Sequence, residues 1–93
     1  MITNLQKTII KETLIPYEPN LVGVFGSYAR NEQTSSSDMD ILIDLKHKTN
    51  LLDLIGIEQE LTELLGIRVD LITLRSVNKE LKSYIQKDLI RII

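Results

Sequence analysis

Gly26-Ser27-Tyr28-Ala29-Arg30, followed by Ser37-Asp38-Met39-Asp40 and then an isolated Asp70, are the residues of this chain whose types and spacing could do chemistry. The glycine and serine follow an apolar run, Leu21-Val22-Gly23-Val24-Phe25, and the aspartates interrupt two others. A backbone turn that can cradle a phosphate beside a cluster of carboxylates that can hold a divalent cation is the ground state of metal-assisted nucleotidyl transfer.

The spacing of the carboxylates carries most of that expectation. In a strand, residues two apart face the same side, so Asp38, Asp40 and Leu42 share one face while Met39, Ile41 and Ile43 share the other. If the apolar set faces the helices, Asp38 and Asp40 emerge together, with Cα atoms about 6.5 Å apart. Two ionised carboxylates at about 5 Å repel by roughly 3 kcal/mol at an effective dielectric near 20, and a fold gains nothing from that without a compensating cation. Asp70 lies between Val69 and Leu71 in a third apolar run. A charge there is costly unless it is paired or ligates a metal. Three hard oxygen ligands with no His or Cys nearby favour Mg²⁺ over Zn²⁺. The plain alternative is a solvated Ser-Asp-Met-Asp loop, with Asp70 paired to Arg68 or Arg75.

Gly26 ends an apolar strand and Ser27 begins a short predicted helix over 27–30, a junction that presents unpaired backbone N–H groups. Glycine allows close approach of phosphate oxygens, and the Ser27 hydroxyl adds a donor. Arg30, one turn later, either clamps a phosphate or braces the aspartates; spacing alone leaves both readings open. Neither the GxxxxGK[ST] nor the GxGxxG spacing is present.

The elements that must position these residues alternate in type. Leu5 to Ile15 carries a helical stripe stopped by Pro16, and Leu21 to Phe25 reads as a buried strand. Asp40 to Leu45 is a second strand, Leu51 to Leu65 the longest helix with Gly66 as its cap, and Ile67 to Leu74 a third strand. Asn78 caps a last helix running through Leu81, Ile85 and Leu89. The order α-β-α-β-α-β-α implies an α+β fold (an α/β sandwich) with a small, mixed three-stranded sheet, a single domain over residues 1–93.

Composition narrows the partners. The net charge of −2 gives no basic field for nucleic acid, so a small substrate or a protein partner is favoured. There is no cysteine, which removes disulfides and thiolate chemistry and fits a cytoplasmic setting. No apolar run approaches the roughly 18 residues of a membrane helix. His47, in a Lys-His-Lys loop, reads as a solvated surface residue, and Tyr17, Tyr28 and Tyr84 as packing residues. The leucine stripe of 51–65 and the Ile90-Arg91-Ile92-Ile93 tail are expected to leave apolar surface for a homo-oligomer or another partner.

On these residues the chain resembles the nucleotidyltransferase superfamily that includes DNA polymerase beta. Its length and its Gly26-Ser27-Tyr28-Ala29-Arg30 form look like the minimal nucleotidyltransferases of bacteria and archaea. The resemblance implies that Asp38, Asp40 and Asp70 bind one or two catalytic Mg²⁺ ions, with Asp70 also the base or its organiser. It implies that Gly26 and Ser27 hold the nucleoside triphosphate, with Arg30 beside them, and that ATP is the donor. It further implies an antitoxin that transfers AMP to a tyrosine of a HEPN-type toxin. The runner-up is a non-catalytic antitoxin acting by complex formation. Transfer to a small hydroxylated compound ranks third, because relatives of that kind carry a second substrate domain. One departure is Asn31, where glycine commonly follows the arginine; asparagine also accepts a left-handed backbone, so a tight turn is still expected.

Overall fold

The computed structural model describes residues 2–93. Helix α1 (Asn4–Leu14) opens on a reciprocal cap: Thr3 Oγ1 accepts from the Gln6 N–H at 3.1 Å, and Gln6 Oε1 accepts from the Thr3 N–H at 2.9 Å. Pro16 lies in the short 3₁₀ turn that ends this helix, Ile15–Tyr17. Strand β1 (Pro19–Phe25) leads into a 3₁₀ turn, Gly26–Tyr28, and β2 (Met39–Leu45) follows after a polar loop. Helix α2 (Leu51–Leu65) is capped by Asn50, whose Oδ1 accepts from the Asp53 N–H at 2.8 Å, and by Gly66 at φ +67°. Strand β3 (Val69–Thr73), helix α3 (Lys79–Asp88, capped by Asn78) and strand β4 (Ile90–Arg91) complete the chain.

The sheet order is β3-β2-β1-β4. β1 is antiparallel to both β2 and β4, whereas β2 and β3 run parallel, joined by α2 as the crossover a parallel pair needs. The sheet thus has four strands where the sequence predicts three. The difference is the tail: Ile92 and Ile93 N–H groups donate to Val22 O at 2.7 and 3.1 Å, and Ile90, Ile92 and Ile93 pack on the core. A two-residue strand is too short for period-two alternation to reveal it. Its apolar residues cover the edge of β1 and do not form the open surface expected of them.

The two faces of the sheet differ sharply. Val22, Val24, Met39, Ile41, Ile43, Leu45 and Val69 join Ile10 and Leu14 of α1 and Ile57 and Leu61 of α2 in one buried cluster. On the opposite face Asp40 and Asp70 occupy equivalent register positions, and Gly23, Leu42 and Ile72 form the next row. Helix α3 packs against β1, and Leu89, just beyond its end, lies directly over Gly23, so that a Cβ there would meet Leu89 Cδ1 at 2.6 Å. Leu51, Leu52, Ile55 and Leu64 of α2 stay exposed, as the dense leucine stripe leads one to expect, and so do Leu81 and Tyr84 of α3. Tyr28 is buried in the main cluster, whereas Tyr84 is a surface residue and not the packing residue expected. No helix among the described residues is long and apolar enough to cross a membrane.

Strand β3 is an edge strand, and α2 covers that edge. Thr62 Oγ1 accepts from the Val69 N–H at 3.1 Å, and Glu58 Oε2 accepts from the Leu71 N–H at 2.9 Å. The outward donors on either side of Asp70 are thereby satisfied and hidden from strand addition. Replacing Thr62 by Val keeps the shape but orphans a part-buried donor. Urea unfolding should show a loss of about 1 kcal/mol, with faster hydrogen exchange at the Val69 amide.

Candidate active site

The site is built where β1 ends and β2 begins. The register pairs Phe25 with Asp40 and Asp40 with Asp70, so the turn after β1 and two carboxylates lie in one row across three strands. Asp38 stands just before β2, exposed, on the same alternation as Asp40. The approach to it is held by a small hydroxyl turn: Ser37 Oγ accepts from the Thr34 N–H at 2.8 Å, and the Ser37 N–H donates to Thr34 O at 3.1 Å. The Met39 N–H donates to Arg68 O at 2.8 Å, which ties the start of β2 to the start of β3.

Gly26 has φ +77°, and a Cβ built on it would collide with Asp40 Oδ2. No side chain other than hydrogen fits there, on grounds of both conformation and space. The predicted helix over 27–30 is a single 3₁₀ turn, Gly26–Tyr28, closed by the Ala29 N–H on Gly26 O, to which the Arg30 N–H also donates at 3.1 Å. So short a turn has little macrodipole, and what it can offer an anion is backbone N–H groups and the Ser27 hydroxyl. Asn31 takes φ +59°, the left-handed turn expected of it.

The electrostatics follow from this crowding. Burial, and then the charges of Asp70 and Asp38, hold the Asp40 carboxyl above the usual carboxylate range, with Arg30 offsetting part of the effect. Neither Arg68 nor Arg75 is ion-paired with Asp70; Arg75 lies nearest Asp44, at 4.0 Å. Arg30 is not bonded to the aspartates either: its Nε donates to Glu32 Oε1 at 2.7 Å and one terminal nitrogen to Asp88 Oδ2 at 2.9 Å. Neither Glu32 nor Asp88 stood out in the sequence, because the only signal of their role is a contact between the Gly26 turn and the last residue of α3. His47 is exposed and bonded to Glu18 Oε2 at 2.8 Å, just beyond the end of β2 opposite to the aspartates. A hollow of about 260 Å³ at the other end of β2, lined by Ile43, Leu45, Leu54 and Arg75 among others, contains none of the site residues.

The donor set tests well against a divalent cation. It consists of hard carboxylate oxygens alone, and its central member is destabilised by its own neighbours. No trio of His, Cys, Asp or Glu among the described residues is already drawn to metal-holding distances. Mutual repulsion keeps such groups apart, and a cation draws them together.

An antiparallel hairpin carrying a Gly-Ser turn and an Asp-x-Asp pair, extended by a parallel strand that brings a third aspartate alongside, defines a nucleotidyl-transfer fold. The sequence profile of the nucleotidyltransferase domain family matches residues 6–92, and this chain belongs to that family of nucleotidyltransferases. A putative protein adenylyltransferase of Methanocaldococcus jannaschii is 51% identical over 83 residues, which cover 88% of this chain and 85% of that protein. The protein adenylyltransferase MntA of Thermococcus cleftensis is 46% identical over 70 residues, 75% of this chain and 67% of that protein. Among solved structures, a toxin–antitoxin crystal structure with AMP-PNP has a TM-score of 0.86 at 25% identity, over 94% of this chain and 72% of the matched chain.

The raised pKa of Asp40 has a stability consequence with a definite sign. Because its folded-state value lies above its unfolded one, the ionised carboxyl costs stability at neutral pH, and the cost vanishes as pH falls below both values. In metal-free protein Asp40→Asn should therefore raise Tm at pH 7, with the gain shrinking as pH falls and gone only below the unfolded value of 3.8, at about pH 3, in thermal scans. Gly26→Ala should lower Tm at both pH values, since its strain does not titrate.

Proposed function

We propose that this chain is a Mg²⁺-dependent protein adenylyltransferase that moves AMP from ATP onto a hydroxyl of a partner protein, a tyrosine of a HEPN-type toxin, and so acts as its antitoxin. The observation that carries the reading is the row formed by the Gly26 turn, Asp40 and Asp70, with Asp38 beside it. The names of the archaeal relatives support a protein acceptor and an adenylyl donor, and the AMP-PNP complex supports ATP and a toxin partner.

In this reading Asp38, Asp40 and Asp70 hold one or two Mg²⁺ ions. The bound metal neutralises the triphosphate and the charge that develops in transfer. The backbone of Gly26 and the Ser27 hydroxyl hold phosphate oxygens. Asp70, the most accessible carboxylate on a paired strand, takes or organises the proton of the acceptor hydroxyl. The new bond joins the acceptor oxygen to the α-phosphorus, and the bond from that phosphorus to pyrophosphate breaks. Asp38 and Asp70 are exposed, which suits an acceptor presented by another protein.

The test is transfer of label from α-³²P-ATP to a co-expressed partner in the presence of Mg²⁺. Asp38→Ala and Asp40→Ala should each lower the rate by at least about 100-fold, and chelation should abolish it. Undiminished transfer in both variants overturns the assignment. Mg²⁺ with AMP-PNP should raise the Tm of the wild-type chain but not of Asp40→Ala. An antitoxin acting by binding alone is the second reading, favoured if Asp40→Asn still protects cells from the toxin.

A further inference from the structure

Arg30 is the cation of the Gly26 turn, and two sets of carboxylates adjoin that turn. The guanidinium is in direct contact with one set, Glu32 and Asp88, at 2.7 and 2.9 Å. Asp40, from the other set, has its Oδ2 against Gly26, whose carbonyl accepts from the Arg30 N–H at 3.1 Å. We propose that Glu32 and Asp88 are positioning residues that hold the Arg30 guanidinium off the aspartates, so that it does not occupy the cation position they form. The inference rests on the metal-binding reading of Asp38, Asp40 and Asp70.

Three observations support it. First, the two contacts use separate edges of the guanidinium, Nε for Glu32 and a terminal nitrogen for Asp88, so its orientation is set from both sides. Second, the anchors are unlike in setting and exposure, 61% for Glu32 against 24% for Asp88. Glu32 follows closely on the turn, whose register is fixed by the Glu32 N–H on Ser27 O at 2.9 Å. Asp88 is the last residue of α3, adjoining Leu89 over Gly23, and is the less exposed of the two at 24%. The arginine is therefore tied to a packed element and not only to its own loop. Third, surface ion pairs of this exposure add little to stability, so holding the fold together is a weak reason for them. Freed of both partners, a guanidinium on this turn has an alternative: the Asp40 carboxylate, whose Oδ2 lies against Gly26. It would then compete with the metal for the same oxygens.

The charge of Glu32 and Asp88 would favour a nearby cation even without any latch, so single variants are not decisive and a cycle is needed. Mn²⁺ alone, without nucleotide, is titrated into wild type, Arg30→Gln, Glu32→Gln/Asp88→Asn and the triple variant, with affinity read by calorimetry or by the electron paramagnetic resonance of free Mn²⁺. If the latch operates, Arg30→Gln changes affinity little in the wild-type background, where the guanidinium is engaged. In the Glu32→Gln/Asp88→Asn background, the same change restores an affinity that had fallen about five-fold. Additive effects, with Arg30→Gln helping equally in both backgrounds, overturn the proposal and leave the metal reading intact. Failure of wild type to bind Mn²⁺ more tightly than Asp40→Asn overturns both. Should loss of Asp88 loosen α3, Glu32→Gln alone replaces the double variant. It leaves α3 tethered and is expected to show the same non-additivity at smaller size, and additivity there overturns the proposal equally.

Discussion

Two carboxylates at adjacent register positions of neighbouring strands repel one another, and Asp40 and Asp70 are held in that arrangement by everything around them. The parallel pairing of β2 and β3 brings them level. A parallel pair cannot be closed by a tight turn, so α2 must cross over between them, and its buried face supplies Ile57 and Leu61 to the core that keeps both strands in place. The same helix satisfies the outward donors of Val69 and Leu71. Residues that never approach the site thus decide whether its third carboxylate stays in register.

Alternation across the sheet separates stability from chemistry. The face packed against α1 and α2 is wholly apolar, and strand periodicity sends every second residue of β2 to the other side. A one-residue slip of β2 would bury Asp40 and expose Ile41, so the core itself enforces the register that places the aspartates. Gly26 completes the arrangement by bringing backbone where any side chain would strike Asp40. Burial, and then the like charges of Asp70 and Asp38, make ionisation of Asp40 costly, and a bound cation would offset that cost.

Legibility differed from element to element for physical reasons. The helix over Leu51–Leu65 has the same bounds in sequence and structure: apolar spacing and Gly66 mark it in the sequence, and the structure adds Asn50 as its N-cap. Asp38 and Asp40 were visible as a same-face pair because period two needs no tertiary information. The fourth strand was not visible, since two residues carry no period and their partner, β1, is far off in sequence. The helical turn at 26–28 was read too long, because helix length depends on packing that propensity does not report. Arg30 bonds Glu32 and Asp88 in the structure, a pairing that neither sequence reading of it included, because Asp88 arrives from the other end of the chain.

By itself, then, the sequence determined the order of the three long helices and the first three strands, the face on which Asp38 and Asp40 emerge, and a glycine turn after the first strand. Each of these follows from backbone sterics and side-chain periodicity over a few residues. Only the tertiary structure decided that Asp70 stands level with Asp40, that the tail becomes an edge strand, and that Arg30 is held by Glu32 and Asp88. Those outcomes depend on which distant strands pair and in what register, and that is set by the burial of the whole apolar face at once.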